Sequence, residues 1–156
     1  MRRFLIVTNE TLLRDKPHLH AKILTGALLF SNGVRKDSEV VFYIRDIQRV
    51  VKIVGSRVKR LFPDVESSYG FLKKAIYRGQ TGVITTTEVK NLTSGITVGP
   101  GSTWTCIPTP PFTYVIKLVD YQITHQCNAG VINLPPHHQV VVLNIVVDRM
   151  LEGRKV

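Results

Sequence analysis

Val40-Val41-Phe42-Tyr43-Ile44 is an unbroken apolar run, opened by Glu39 and closed by Arg45. A strand with one wet face alternates apolar and polar residues. A strand that does not alternate is buried on both faces, as in a parallel sheet covered on each side. Working outward, Phe4-Leu5-Ile6-Val7 has the same character, and Val50 to Val54, interrupted only by Lys52, is a third strand that Gly55-Ser56 ends. Residues 8–19 are polar, contain Pro17 and read as a loop. His20 to Ser31 then carries Ile23, Leu24, Ala27, Leu28 and Phe30 at helical spacing, with Gly33 placed as a C-cap glycine. Gly26 inside that helix costs about 1 kcal/mol of propensity relative to alanine, and close approach of another element would account for it. A second helix opens at Val65 or Glu66 and runs to about Tyr77. Phe71, Leu72, Ala75 and Ile76 form its inner side, Lys73 and Lys74 its outer one. Strand, helix, strand, strand, helix is the order of an α/β fold.

The second half has fewer helical signals. Gly82 to Thr86, Thr103 to Ile107, Phe112 to Val119 and Gly130 to Leu134 read as strands. Between them lie the clusters Ser94-Gly95 and Gly99-Pro100-Gly101, and then the stiff linker of Pro108, Pro110 and Pro111. His137 to Glu152 is ambiguous, because its valines favour strand. Its length, the proline pair at its start, the face Leu143, Val147, Met150 and Gly153 beyond its end decide for helix, followed by the polar tail Arg154-Lys155. The 156 residues are expected to form a single domain spanning 1–156.

The chain carries a formal charge of +10, distributed unevenly. Residues 1–78 hold 16 Lys/Arg against 7 Asp/Glu, while residues 79–156 hold 5 against 4. A polyanion, most simply RNA or DNA, would use the first half; the plain alternative is a solvated surface that keeps the protein soluble. No apolar stretch approaches 18 residues and the N-terminal run is too short for a signal peptide, so a soluble, cytoplasmic protein with no membrane partner is expected. Cys106 and Cys127 form no CxxC pair and read as two ordinary cysteines.

Familiar catalytic motifs are missing. There is no GxGxxG after a strand, no GxxxxGK[ST] and no GxSxG. His137 and His138 are neighbours on a helix and face apart, a poor chelating pair; no metal site is expected. His18 and His20 alternate along the segment that leads into the expected helix, which His20 opens. Asp64 and Glu66 can be read as an acid/base pair or as helix N-terminal capping residues.

Four blocks, in order, resemble one family: Ala27 to Asp37, Val41-Phe42-Tyr43, Lys52 to Asp64, and Phe71 to Ile76. They are similar to the archaeal methyltransferases that modify N1 of pseudouridine in the T-loop of tRNA, members of the SPOUT superfamily of trefoil-knotted RNA methyltransferases. Val131 to Pro135 and Val140 to Arg149, with Asn144 and Asp148, resemble the family's last turn and helix. The resemblance implies a mostly parallel sheet, a C-terminal knot over about residues 112–150, a homodimer, and S-adenosylmethionine as cofactor. It implies a cofactor site at Leu118, Val119, Asp120, Tyr121, Val131, Leu134 and Pro135, with His138 or Val142 at its edge. Where the family has Gly-Asp-His, this chain has Val119-Asp120-Tyr121. For the reaction, Asp64 is the first candidate to accept or orient the N1 proton and Asp37 the second, while Arg35 would stabilise negative charge or clamp a phosphate. Lys59 and Arg60 would hold the tRNA backbone within a basic patch that includes Lys36, Arg45, Arg49, Lys52 and Arg57. Two alternatives remain: a degenerate member that binds RNA without methyl transfer, and a non-enzymatic structural or interaction protein.

Overall fold

The computed structural model describes residues 1–31, 33–80 and 82–153; Arg154-Lys155 lies outside them. Strand β1 (Arg2–Thr8) leads into helices α1 (Glu10–Asp15) and α2 (Pro17–Leu28). A hairpin of β2 (Leu29–Phe30) and β3 (Gly33–Val34) follows, then β4 (Ser38–Ile44), β5 (Arg49–Val54), α3 (Val65–Tyr77) and β6 (Val83–Thr86). The remainder is β7 (Ile96–Pro100), β8 (Phe112–Lys117), β9 (Cys127–Ala129) and α4 (Pro136–Leu151).

Among the described residues, seven strands form one sheet in the order β6-β5-β4-β1-β8-β7-β9. The run β4-β1-β8-β7-β9 is parallel, and β5 is antiparallel to both its neighbours. The fold is therefore α/β with a mixed, mostly parallel sheet. The unbroken apolar strands occupy its middle: every residue of β1 and β4 is buried. Phe4, Ile6, Val40, Phe42 and Tyr114 face the layer of α2, α3 and α4. Leu5, Val7, Val41, Tyr43 and Val115 face the other way, under the irregular segments carrying Leu92, Val119, Tyr121 and Ile123.

Several expectations are corrected. Within the expected loop of residues 8–19, Thr8 ends β1 and residues 10–15 and 17–19 are helical. The Asn9 side chain accepts from the Leu12 amide at 2.8 Å and caps α1, while Pro17 starts α2, where a missing N–H and a fixed φ do no harm. His18 and His20 are therefore on a helix. Gly33 is not a C-cap: α2 ends at Leu28, Leu29 is already extended, and Ser31, at φ 50°, turns the hairpin. Thr103 to Ile107 is not a strand, whereas Ile96–Pro100 is. The glycines there reflect crowding. A Cβ on Gly99 would collide with His125, and one on Gly95 (φ +70°) with the Pro111 carbonyl. The strand placed at Gly130 to Leu134 is three residues earlier, at Cys127–Ala129. The cysteines are not independent: Cys106 and Cys127 are joined by a disulfide with Cα atoms 5.8 Å apart, tying the segment after β7 to β9.

The last helix and the Gly26 reading stand. α4 crosses α2 so closely that a Cβ on Gly26 would lie 2.9 Å from Val140 Cγ2 and 3.2 Å from the His137 carbonyl. At its start, the Tyr114 hydroxyl donates to Gln139 Oε1 at 2.7 Å and Gln139 Nε2 donates to the Leu134 carbonyl at 2.8 Å, fixing α4 over β8.

Candidate functional site

Register places most of the candidate residues at one end of the sheet or the other. Arg2 pairs with Ser38 and Glu39 with Val54, so the segments before β4 and after β5 meet at the end where the parallel strands begin. Arg35, Lys36, Asp37, Arg57, Lys59, Arg60 and Asp64 belong to this end. Gly55 closes the corner, since a Cβ there would run into the Arg35 carbonyl. Ile44 pairs with Arg49 at the opposite end, roughly 20 Å away along a seven-residue strand. The expected patch is thus divided: the antiparallel β4–β5 pair carries Arg45 and Arg49 to the far end and leaves Lys52 between. Arg45 donates to the Asp120 carbonyl, and Arg49 Nη1 donates to the Ile76 carbonyl at 2.8 Å. Lys36, Arg57, Lys59 and Arg60 are exposed, with no ion-pair partner among the described residues.

Arg35 and Asp37 come together in a network the sequence did not reveal. Arg35 Nη1 and Nη2 donate to the two carboxylate oxygens of Asp148, each at 2.9 Å. Arg2 Nη2 donates to the same carboxylate at 2.7 Å, its Nη1 to Asn144 Oδ1 at 3.0 Å and its Nε to Asp37 Oδ2 at 3.1 Å. Burial opposes ionisation of Asp148, but the hydrogen bonds from Arg35 and Arg2 outweigh it and hold the carboxyl below the usual range. Arg35 also lies over the Phe30 ring, 4.6 Å from its centroid. Its terminal nitrogens are occupied by Asp148, so this guanidinium anchors the hairpin to α4.

Asp64 is the N-cap of α3. Its Oδ2 accepts from the Ser67 amide at 2.9 Å, and hydrogen bonds from Ser67 hold the exposed carboxyl below its ordinary value. Beside it opens a cleft of about 550 Å³ lined by the hairpin and by Lys59 to Pro63. Phe62, exposed to 54%, is on its wall. Sequence reasoning missed Phe62, although an aromatic set between Arg60 and Pro63 in a basic run was the available signal.

The residues expected to hold a cofactor collect at the other end. Leu118, Val119, Asp120 and Tyr121 follow β8 and line a cleft of about 540 Å³. Val131, Leu134 and Pro135 follow β9, two strands and roughly 10 Å away, and lead to His138 and Val142 on α4. This is the carboxyl end of parallel strands, where ligands of open α/β sheets bind. Tyr121 packs edge-on against Tyr43, with ring centroids 5.3 Å apart. Burial, then the neighbouring His138 and Lys22, push the His137 pKa down, and its buried Nδ1 has no partner. The described residues assemble no group of three or more His, Cys, Asp or Glu able to hold a metal ion. Among the described residues, no helix is long and apolar enough to cross a membrane.

Fold and site together define an α/β protein with an uncompensated basic end and a cleft at the carboxyl end of its parallel strands. No family model matches the chain. It is similar to the tRNA (pseudouridine(54)-N(1))-methyltransferase of Methanopyrus kandleri, with 33% identity over 91 residues that cover 49% of this chain and 45% of that protein. The matched stretch spans less than half the length of that relative, and the relation to an RNA methyltransferase is a distant one.

Proposed function

We propose that the protein is an S-adenosylmethionine-dependent RNA methyltransferase that modifies N1 of pseudouridine in tRNA. The observation that carries this reading is the similarity to the Methanopyrus kandleri enzyme; the exposed, unneutralised cations at the start of the parallel strands support it. The reading includes a trefoil knot formed by the chain from β8 to α4.

The cofactor would lie at the carboxyl end, against the backbone of 118–121 and the turn 131–135, with His138 and Val142 beside it. The 540 Å³ cleft is within the range of small-molecule sites. When bound, S-adenosylmethionine supplies a methyl group on a sulfonium centre. The chain's own part is to orient the base in line and to take or orient the N1 proton, for which Asp64 remains the candidate. A carboxylate offers more acceptor positions than one cap bond uses.

Asp64 and the 118–121 loop sit at opposite ends of one sheet, so a single chain does not bring them together. The reading therefore requires two copies, the basic end of one meeting the carboxyl end of the other. Val141 and Ile145, exposed on α4 to 40% and 45%, offer an apolar contact face. Isothermal titration with S-adenosylmethionine tests the cofactor, with micromolar affinity at best expected because Val119 stands where a glycine would admit closer approach. Mass spectrometry of nucleosides from pseudouridine-containing tRNA, incubated with labelled cofactor, tests the reaction. Heatless titration and no labelled methylpseudouridine would discard the enzyme and leave an RNA-binding protein.

A further inference from the structure

The cleft beside Asp64 has a composition that the proposed chemistry does not explain. Its walls are Leu29 and Val34 from the hairpin and Leu61, Phe62 and Pro63 from the segment after β5. Lys59 and Arg60 also line it, and no carboxylate is among the described residues that do. Leu61 is buried to 9% exposure and belongs to the core, whereas its neighbour Phe62 is 54% exposed. An aromatic face left in water beside two uncompensated cations is complementary to a flat, apolar, anionic partner. An unpaired nucleotide has that chemistry: a π-face to stack and a phosphate to neutralise. A paired base does not, because its faces are covered in the duplex. The cleft's 550 Å³ lies within the ordinary range for small-ligand sites.

We infer that this cleft binds one unpaired base of an RNA, stacked against Phe62, with its flanking phosphates on Lys59 and Arg60. The inference rests on the RNA reading above and deepens it: the protein would prefer a loop or bulge over a continuous duplex at this end.

The probe is an RNA hairpin with 2-aminopurine in its loop, compared with the same strand in a perfect duplex. Binding is followed by anisotropy and by 2-aminopurine fluorescence. The full-length protein should bind the loop more tightly than the duplex and change the fluorophore's emission. Phe62→Ala should weaken loop binding by about 5- to 150-fold, the usual range for one lost stacking platform, and leave duplex binding as it was. Phe62→Tyr should retain both the affinity and the emission change, which separates stacking from mere packing. Lys59→Ala with Arg60→Ala should weaken loop and duplex alike. If the wild-type protein binds RNA but Phe62→Ala binds the loop equally well, the cleft inference falls and the RNA reading stands. If polyglutamate displaces the loop as effectively as RNA, the cleft is a charge site without base recognition. No binding to either RNA would overturn the RNA reading itself, and the cleft inference with it.

Discussion

Asp64 has one carboxylate and two assignments. As an N-cap it needs only an acceptor oxygen, which asparagine also supplies; as a proton acceptor it needs the negative charge. Asp64→Asn should therefore melt at the wild-type temperature and bind RNA normally, while turnover falls by about 10²–10⁴, the range for a lost acid/base group. Unchanged turnover would reduce Asp64 to a cap. His20 poses a different problem of protonation. It is fully buried, and its Nδ1 lies 2.7 Å from the Lys16 carbonyl, which only accepts, so Nδ1 carries the proton. Nε2 then accepts from the Thr8 hydroxyl at 2.7 Å in the neutral ring. Burial lowers its pKa from 6.5, against a smaller raising effect of the Lys16 carbonyl. The unfolded chain thus binds a proton more readily than the folded one, and stability present above about pH 6.5 is lost as pH falls through the folded value. Thermal melts between pH 8 and pH 5 should show a decline that His20→Gln reduces. An equal decline in the variant would place the titrating group elsewhere.

Elements are held by contacts that sequence patterns register unevenly. The unbroken apolar runs of β1 and β4 carry their burial in their composition, and the prolines and period of α4 marked it as a helix despite its valines. Gly26 was legible as a close approach, and α4 is what approaches. The hairpin β2–β3 was not legible, because the helical spacing of Ile23 to Leu28 runs on through Phe30 and the chain simply leaves it. Nor was β7, whose Gly99 lowers strand propensity for the sake of the His125 contact. The network of Arg2, Arg35 and Asp148 joins residues more than a hundred positions apart, and no local spacing points to it. It also ties β1, the hairpin and α4 through a single carboxylate. Asp148→Ala would leave the largely buried Arg35 guanidinium without its counter-charge and the buried Arg2 with Asp37 alone. The cost should be about 3 kcal/mol, the lower end for a broken buried pair, since Asp148 keeps 21% of its side chain in water. For a chain of this size that is roughly a 6–12 °C fall in melting temperature, readable by calorimetry. The loss should be full above pH 3.8 and shrink as acid protonates Asp148 in the wild type. A fall of only a degree or two would mean that water replaces the carboxylate.

At the scale of the whole molecule, the charge asymmetry of the sequence becomes an asymmetry of ends. The first half of the chain is the basic half, yet β4 and β5 run antiparallel and share their cations between the two ends of the sheet. Sequence order therefore located the charge correctly and overestimated how closely it gathers. The two groups also differ in kind. Lys36, Lys59 and Arg60 are exposed without ion-pair partners among the described residues, so an approaching phosphate meets free cations. Arg45 and Arg49 already donate to the Asp120 and Ile76 carbonyls, and engaging a phosphate would mean breaking those bonds. Counterion release gives the distinction a measurable form, because each lost phosphate contact lowers the slope of log K against log salt by about one. Lys59→Ala with Arg60→Ala should flatten that slope by about two for structured RNA without lowering the melting temperature. Arg45→Ala with Arg49→Ala should leave the slope unchanged and lower the melting temperature, because it frees two carbonyls and loosens the 118–121 loop and the end of α3. Filter binding across a salt series, with a melting curve for each variant, reads both effects. Equal flattening by the two double variants would mean that RNA spans both ends of the sheet, and the division of the patch would carry no functional weight.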